Sequence, residues 1–108
     1  MTEKEARFQK NLIAELKSKF PGCIVRKNET TLHQGFPDLL ILYGSRWATL
    51  ECKRSENAPR RPNQDHWVRK LDDMSFSRFI YPENKEEVLS ELQRAFKTSR
   101  TARVSRSK

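Results

Sequence analysis

Pro37-Asp38-Leu39-Leu40-Ile41-Leu42-Tyr43-Gly44-Ser45-Arg46-Trp47-Ala48-Thr49-Leu50-Glu51-Cys52-Lys53 reads as two strands joined by a tight turn at Gly44-Ser45-Arg46. Asp38 opens the first strand; Glu51 and Lys53 close the second. Side-chain alternation puts Glu51 and Lys53 on one face and Leu50 and Cys52 on the other. Folding back at the turn can bring Asp38 beside Glu51. Two adjacent carboxylates repel each other and lose hydration. A hard divalent cation such as Mg²⁺ relieves both costs by taking oxygen ligands. A lysine beside such a site can orient or deprotonate a water, or stabilise charge on a phosphate. Taken singly, Asp38 is an ordinary turn aspartate and Glu51-x-Lys53 an ordinary exposed ion pair. Taken together, both motifs flank apolar runs that the hairpin converges, which favours a site equipped for phosphodiester hydrolysis.

Outward from the hairpin, the pattern predicts one small mixed α/β layer in the order αβββαβα. Thr2 to Phe20 reads as a helix, with Phe8, Leu12, Leu16 and Phe20 at i+4 spacing and Pro21-Gly22 as its stop. Cys23 to Arg26 is a short strand and Lys27 to Gly35 a polar loop. The strands Asp38–Tyr43 and Trp47–Lys53 follow. Leu39 to Leu42 is apolar on both faces, the mark of a central strand covered on both sides. Arg54 to Arg61 is a basic loop, Pro62 to Met74 a helix with proline early, and Arg78 to Tyr81 a fourth strand. Asn84 caps a last helix through Phe96, with Glu87 in capping-box position.

The 108 residues suit one domain with a modest core, read as residues 1–96, followed by a basic flexible tail, 97–108. Apolar residues make up 35% and charged residues 33%, polar for a globular protein. No stretch is long enough to span a membrane and no apolar segment near Met1 resembles a signal peptide, so an intracellular protein is expected. Cys23 and Cys52, with two histidines, make no recognisable zinc spacing. Net charge is +8, and five of those charges sit on Lys97, Arg100, Arg103, Arg106 and Lys108, in a segment without acids. Such a tail suits nucleic acid through counterion release; its plainer reading is a solvated end.

Other candidates each admit two readings. Glu5 is a third carboxylate for the site, or the reciprocal member of a Thr2-Glu3-Lys4-Glu5 capping box. Gln64 is an amide holding Lys53 or a phosphate, or an exposed helix glutamine. Arg54, Arg60 and Arg61 crowd the loop after Lys53 and suit phosphate contacts, or are simply solvated. In the preceding polar loop, Lys27 is a DNA-contact candidate. His33 suits a DNA contact or proton transfer, the plainer reading being a solvated loop side chain. Trp47 and Trp67 read as core or interface anchors.

These residues resemble a PD-(D/E)xK nuclease, with Pro37-Asp38 and Glu51-Cys52-Lys53 as its signature, and more narrowly a stand-alone VRR-NUC domain. The resemblance runs from about residue 3 to 94 and takes in Glu5 four residues before Gln9, Gly35-Phe36-Pro37-Asp38, Gln64 at the head of a helix, and Phe79-Ile80-Tyr81-Pro82-Glu83. It implies a restriction-endonuclease-like fold, a mixed central sheet flanked by helices, and a Mg²⁺-dependent DNA endonuclease for which Mn²⁺ substitutes. Asp38, Glu51, the Cys52 backbone carbonyl and Glu5 would bind metal, Lys53 would position or activate water, and Gln64 would support Lys53 or the scissile phosphate. Small members of this kind are similar to Holliday-junction resolvases, homodimers acting on branched DNA and typical of bacteriophage. The rivals are a nicking or general nuclease of the same fold, a non-catalytic nucleic-acid-binding module, and a basic accessory protein acting through its tail.

Overall fold

Helix α1 (Glu3–Lys19) starts where Thr2 can cap it: Thr2 Oγ1 accepts from Glu5 N at 3.0 Å, and Glu5 Oε1 accepts from Thr2 N at 3.2 Å. In the computed structural model, which describes residues 2–28 and 34–97, six further elements follow. They are β1 (Ile24–Lys27), β2 (Leu39–Tyr43), β3 (Arg46–Cys52), α2 (Gln64–Met74), β4 (Ser77–Ile80) and α3 (Lys85–Lys97). The expected order αβββαβα is the observed one. Residues 98–108, which hold nearly all of the basic tail, lie outside the described residues, as does His33.

The sheet runs in the order β1-β2-β3-β4, with the first two pairings antiparallel and β3–β4 parallel. The β2–β3 turn is shorter than expected. Tyr43 pairs with Arg46, leaving Gly44-Ser45 as the loop, and Gly44 takes a φ of 63°, the positive value that the first position of a type II′ turn requires. Strand β1 lies one residue further along than its sequence suggests, because Lys27 pairs with Leu39 and Asn28 N donates to Asp38 O at 2.7 Å.

One face of the sheet carries Leu39, Ile41, Ala48, Leu50, Cys52 and Ile80 against Leu12, Leu16 and Phe20 of the first helical segment and Val88, Leu89, Leu92 and Phe96 of α3. Phe20, Tyr43 and Phe96 close this core with ring contacts of 5.2 to 5.4 Å. Helix α2 lies on the opposite face, over β3 and β4, since its Gln64 reaches Glu51, which alternates with the core-facing Leu50 and Cys52. The cover on that face is partial. Leu42 is 37% exposed and its cross-strand partner Ile24 54%. The expectation that β2 is covered on both sides is therefore corrected: α2 covers only the β3–β4 half.

A second correction concerns Asn84. Its Oδ1 accepts from Tyr81 N at 2.9 Å and its Nδ2 donates to Phe79 O at 3.0 Å. The side chain faces back and ties the start of α3 to the end of β4, in place of the forward capping box expected with Glu87. Lys85 then joins α3 to α1 by a 2.8 Å bond to Glu15.

Candidate active site

Asp38 stands one step before the β2–β3 ladder, and the register Leu39↔Leu50 places it opposite Glu51. Its backbone is pinned from β1: Asn28 Nδ2 donates to Pro37 O at 3.0 Å, and Asn28 N bonds Asp38 O. Asp38 Oδ2 accepts from Cys52 N at 3.1 Å. Burial holds the Asp38 carboxyl above its ordinary range, against the pull of the Cys52 N–H and of Lys53.

Glu51 is 4% exposed. Its Oε2 accepts from Gln64 Nε2 at 2.9 Å, while Oε1 is buried with no hydrogen-bond partner among the described residues. Burial first, and repulsion from Asp38 second, push its pKa up to about 8, with Lys53 offsetting part of the rise. Such an acceptor costs free energy until something positive reaches it.

Lys53 is as buried as Gln64, each 7% exposed. Its Nζ donates to Gln64 Oε1 at 2.8 Å and to Pro59 O at 3.1 Å. Gln64 Oε1 also accepts from Arg61 N at 2.8 Å. The amide of Gln64 thus joins the acid, the lysine and the basic loop. It can do so because α2 begins at Gln64, preceded by Asn63 in the left-handed region at φ 77°. Gly35, at φ 86°, packs against that corner, and a Cβ there would lie 2.9 Å from Asn63 C.

Glu5 keeps both of its readings. It closes the capping box, and it lines the same cleft as Asp38 and Glu51, adding repulsion to both. The cleft has a volume of about 790 Å³, and Arg54, Arg60 and Arg61 also line it. Arg60 bonds Asp65 Oδ1 at 2.8 Å and lies over the Phe79 ring, 3.9 Å from its centroid. Lys27 sits in β1, paired with Leu39, and does not line the cleft.

Sequence reasoning passed over several contributors. Pro59 acts through its carbonyl, which no side-chain pattern reveals. Gln9, quoted in the resemblance without a role of its own, is 4% exposed, and its side chain meets the buried Cys52 thiol, whose pKa burial drives far up. Its position on the apolar stripe of α1, beside Phe8 and one turn before Leu12 and Ile13, was the available signal. Gly35 was quoted as part of a motif without its close approach to Asn63.

Among the described residues, no three His, Cys, Asp or Glu side chains form a ready-made metal cluster. The adjacent carboxylates Asp38 and Glu51, with the unpartnered Glu51 Oε1, nevertheless fit a hard cation, which would neutralise the repulsion and take up the orphaned oxygen.

A solved structure described as a "VRR_NUC domain" is similar to this chain, with 27% sequence identity and a TM-score of 0.61, covering 74% of this chain and 85% of that one. No family model and no curated protein sequence matches the chain.

Proposed function

We propose that this chain, a VRR-NUC domain by its likeness in sequence and fold to the solved one, is a divalent-metal-dependent DNA endonuclease of the PD-(D/E)xK type. The observation that carries this reading is the buried, unpartnered Glu51 Oε1 beside Asp38, with Lys53 on the same face. Asp38 and Glu51 would hold the cation, Mg²⁺ or Mn²⁺, and Glu5 and the Cys52 carbonyl would complete its oxygen ligands. When bound, such a cation polarises a phosphate and stabilises the leaving oxygen.

The remaining work falls to the chain's own groups. Of the three N–H bonds of the Lys53 ammonium, Gln64 and Pro59 take two, which leaves one to orient a water or bond a phosphate oxygen. Gln64 fixes Lys53 relative to Glu51, so that water and phosphate meet at a set distance. Arg54, Arg60 and Arg61 would hold flanking phosphates. His33 and Lys27, proposed with them as DNA contacts, belong to the chain before Asp38.

Branched DNA, a four-way junction above all, is the substrate we favour, cut by a homodimer that offers one cleft to each of two strands. Its support is the resemblance to junction resolvases. The test is cleavage of an end-labelled four-way junction beside a linear duplex of matching sequence, in Mg²⁺, Mn²⁺ and EDTA. Paired symmetric cuts in the junction alone, abolished by EDTA, are expected. Equal cutting of both substrates would turn the reading to nicking or general degradation. Tight binding without cutting in either metal would make the chain a binding module.

A further inference from the structure

The segment Pro59-Arg60-Arg61 is unusual in how its neighbouring groups are used. Pro59 gives its carbonyl to Lys53 Nζ, and Arg61 gives its backbone N–H to Gln64 Oε1. Arg60, between them, is therefore anchored on both sides to the network that holds Lys53 and Glu51. Its own side chain is nearly half exposed and lines the cleft. The guanidinium rests on the face of Phe79, the residue of β4 in register with Glu51, and bonds the carboxylate of Asp65. An arginine stacked on a ring keeps its charge and its planar donors while losing much of its rotamer freedom.

Asp65 lies in the first turn of α2. A carboxylate there is favoured by the helix dipole with or without a guanidinium partner. The Arg60–Asp65 pair is largely solvated, so its net worth is small, and a phosphate offers the same fork of donors a stronger acceptor. Asp65 can thus give up Arg60 at little cost.

We propose that Arg60 is the seat of a DNA backbone phosphate next to the scissile one, that Phe79 is the platform that aims it, and that Asp65 occupies the seat until DNA arrives. This rests on the reading of the cleft as a DNA site and adds its order of assembly. Arg60 fixes the register of the strand relative to Lys53 through its two anchored neighbours. Asp65 sets the threshold an incoming phosphate must exceed.

The test measures duplex and junction binding by fluorescence anisotropy in EDTA, across a salt series, for the full chain. Asp65→Asn is expected to tighten binding several-fold when Arg60 is present and to have almost no effect in an Arg60→Gln background. Arg60→Gln should lower the slope of log Kd against log salt by about one. Phe79→Leu should weaken binding with the slope unchanged, because the charge remains and only its aim is lost. Circular dichroism checks that each variant is folded. An Asp65→Asn effect equal in both backgrounds would make Asp65 a diffuse electrostatic term, and weaker binding by Asp65→Asn would make it a support for Arg60; either overturns the proposal. Because binding is read without metal, these results stand apart from cleavage. A wild-type chain that binds no DNA at all would overturn the underlying site reading and this proposal with it.

Discussion

Lys53 is where burial and chemistry meet most directly. An ammonium this enclosed needs acceptors, and it has the Gln64 amide and the Pro59 carbonyl. Replacing it with alanine should leave DNA binding in EDTA within a few-fold of wild type, since the arginines line the same cleft. Cleavage should fall by about 100-fold or more, the usual scale for losing a group that handles the attacking water. Single-turnover cleavage beside anisotropy separates the two, and retained cleavage would remove Lys53 from the chemistry. Glu51 supplies a second expectation. Its carboxyl titrates near 8 when folded, against an ordinary value of 4.5, so between those values the native state holds a proton that the unfolded chain has lost. Stability of the metal-free protein must then fall as pH rises from about 4.5 through about 8, and the raised Asp38 adds in the same direction. Glu51→Gln should match wild type near pH 5 and exceed it at pH 8, by an amount on the order of a few kcal/mol at most. Urea unfolding in EDTA at both pH values checks this; parallel profiles for the two proteins would contradict it.

At the scale of elements, the site depends on two corners that approach each other. Gly35 leads into Asp38, and Asn63 leads into Gln64. Their contact sets the distance between the acid that opens β2 and the amide that heads α2. Alanine at position 35 faces a left-handed backbone, costing about 1–2 kcal/mol, as well as a Cβ 2.9 Å from Asn63. Gly35→Ala should lower the unfolding midpoint and reduce cleavage together, since relief of the clash moves Asp38 away from Gln64. A variant with unchanged stability and activity would show that this corner adapts freely. The elements themselves were readable because most have a local signature, such as i+4 apolar spacing in α1 and a glycine turn between β2 and β3. Their ends were less so. Pro62, read as an early position of the second helix, instead lies before its N-cap Asn63. The β1 register is decided by pairing with β2, and Asn84 spends its side chain on β4, which is distant information for a residue read as a helix cap.

For the whole molecule, the acidic site is a cost of folding that a cation would convert into stability. Mg²⁺ at about 100 times its Kd should add about 2.7 kcal/mol, raising Tm by several degrees or more in a domain of this size. The rise should be larger at pH 8 than at pH 5, because protonated carboxylates bind no metal. Asp38→Asn should remove most of it. Thermal melts in EDTA and in Mg²⁺ at both pH values decide this; an equal rise in wild type and Asp38→Asn would place the stabilising ion elsewhere. No helix among the described residues is long and apolar enough to cross a membrane; the buried apolar residues pack on the sheet. Most of them lie between its one face and helices α1 and α3, and the opposite face is shared between α2 and solvent.

The sequence by itself determined the order of elements, the hairpin, and the meeting of Asp38 with Glu51, because periodicity and a short turn act over a few residues and leave one register that buries Leu39, Ile41, Ala48 and Leu50 together. It also carried, from Glu5 to Gln64, the motifs on which the resemblance to a VRR-NUC domain rests. Only the tertiary structure decided that Glu51 keeps an oxygen unpartnered among the described residues, that Glu5 serves the helix cap and the cleft at once, that the Pro59 carbonyl holds Lys53, that Gly35 packs on Asn63, and that Arg60, already a candidate, lies over the Phe79 ring. It also left half of one sheet face open where a covered strand was expected. Those outcomes depend on which surfaces meet after the chain has folded. A backbone carbonyl, a missing Cβ and a ring under a guanidinium have no periodicity for a sequence to display.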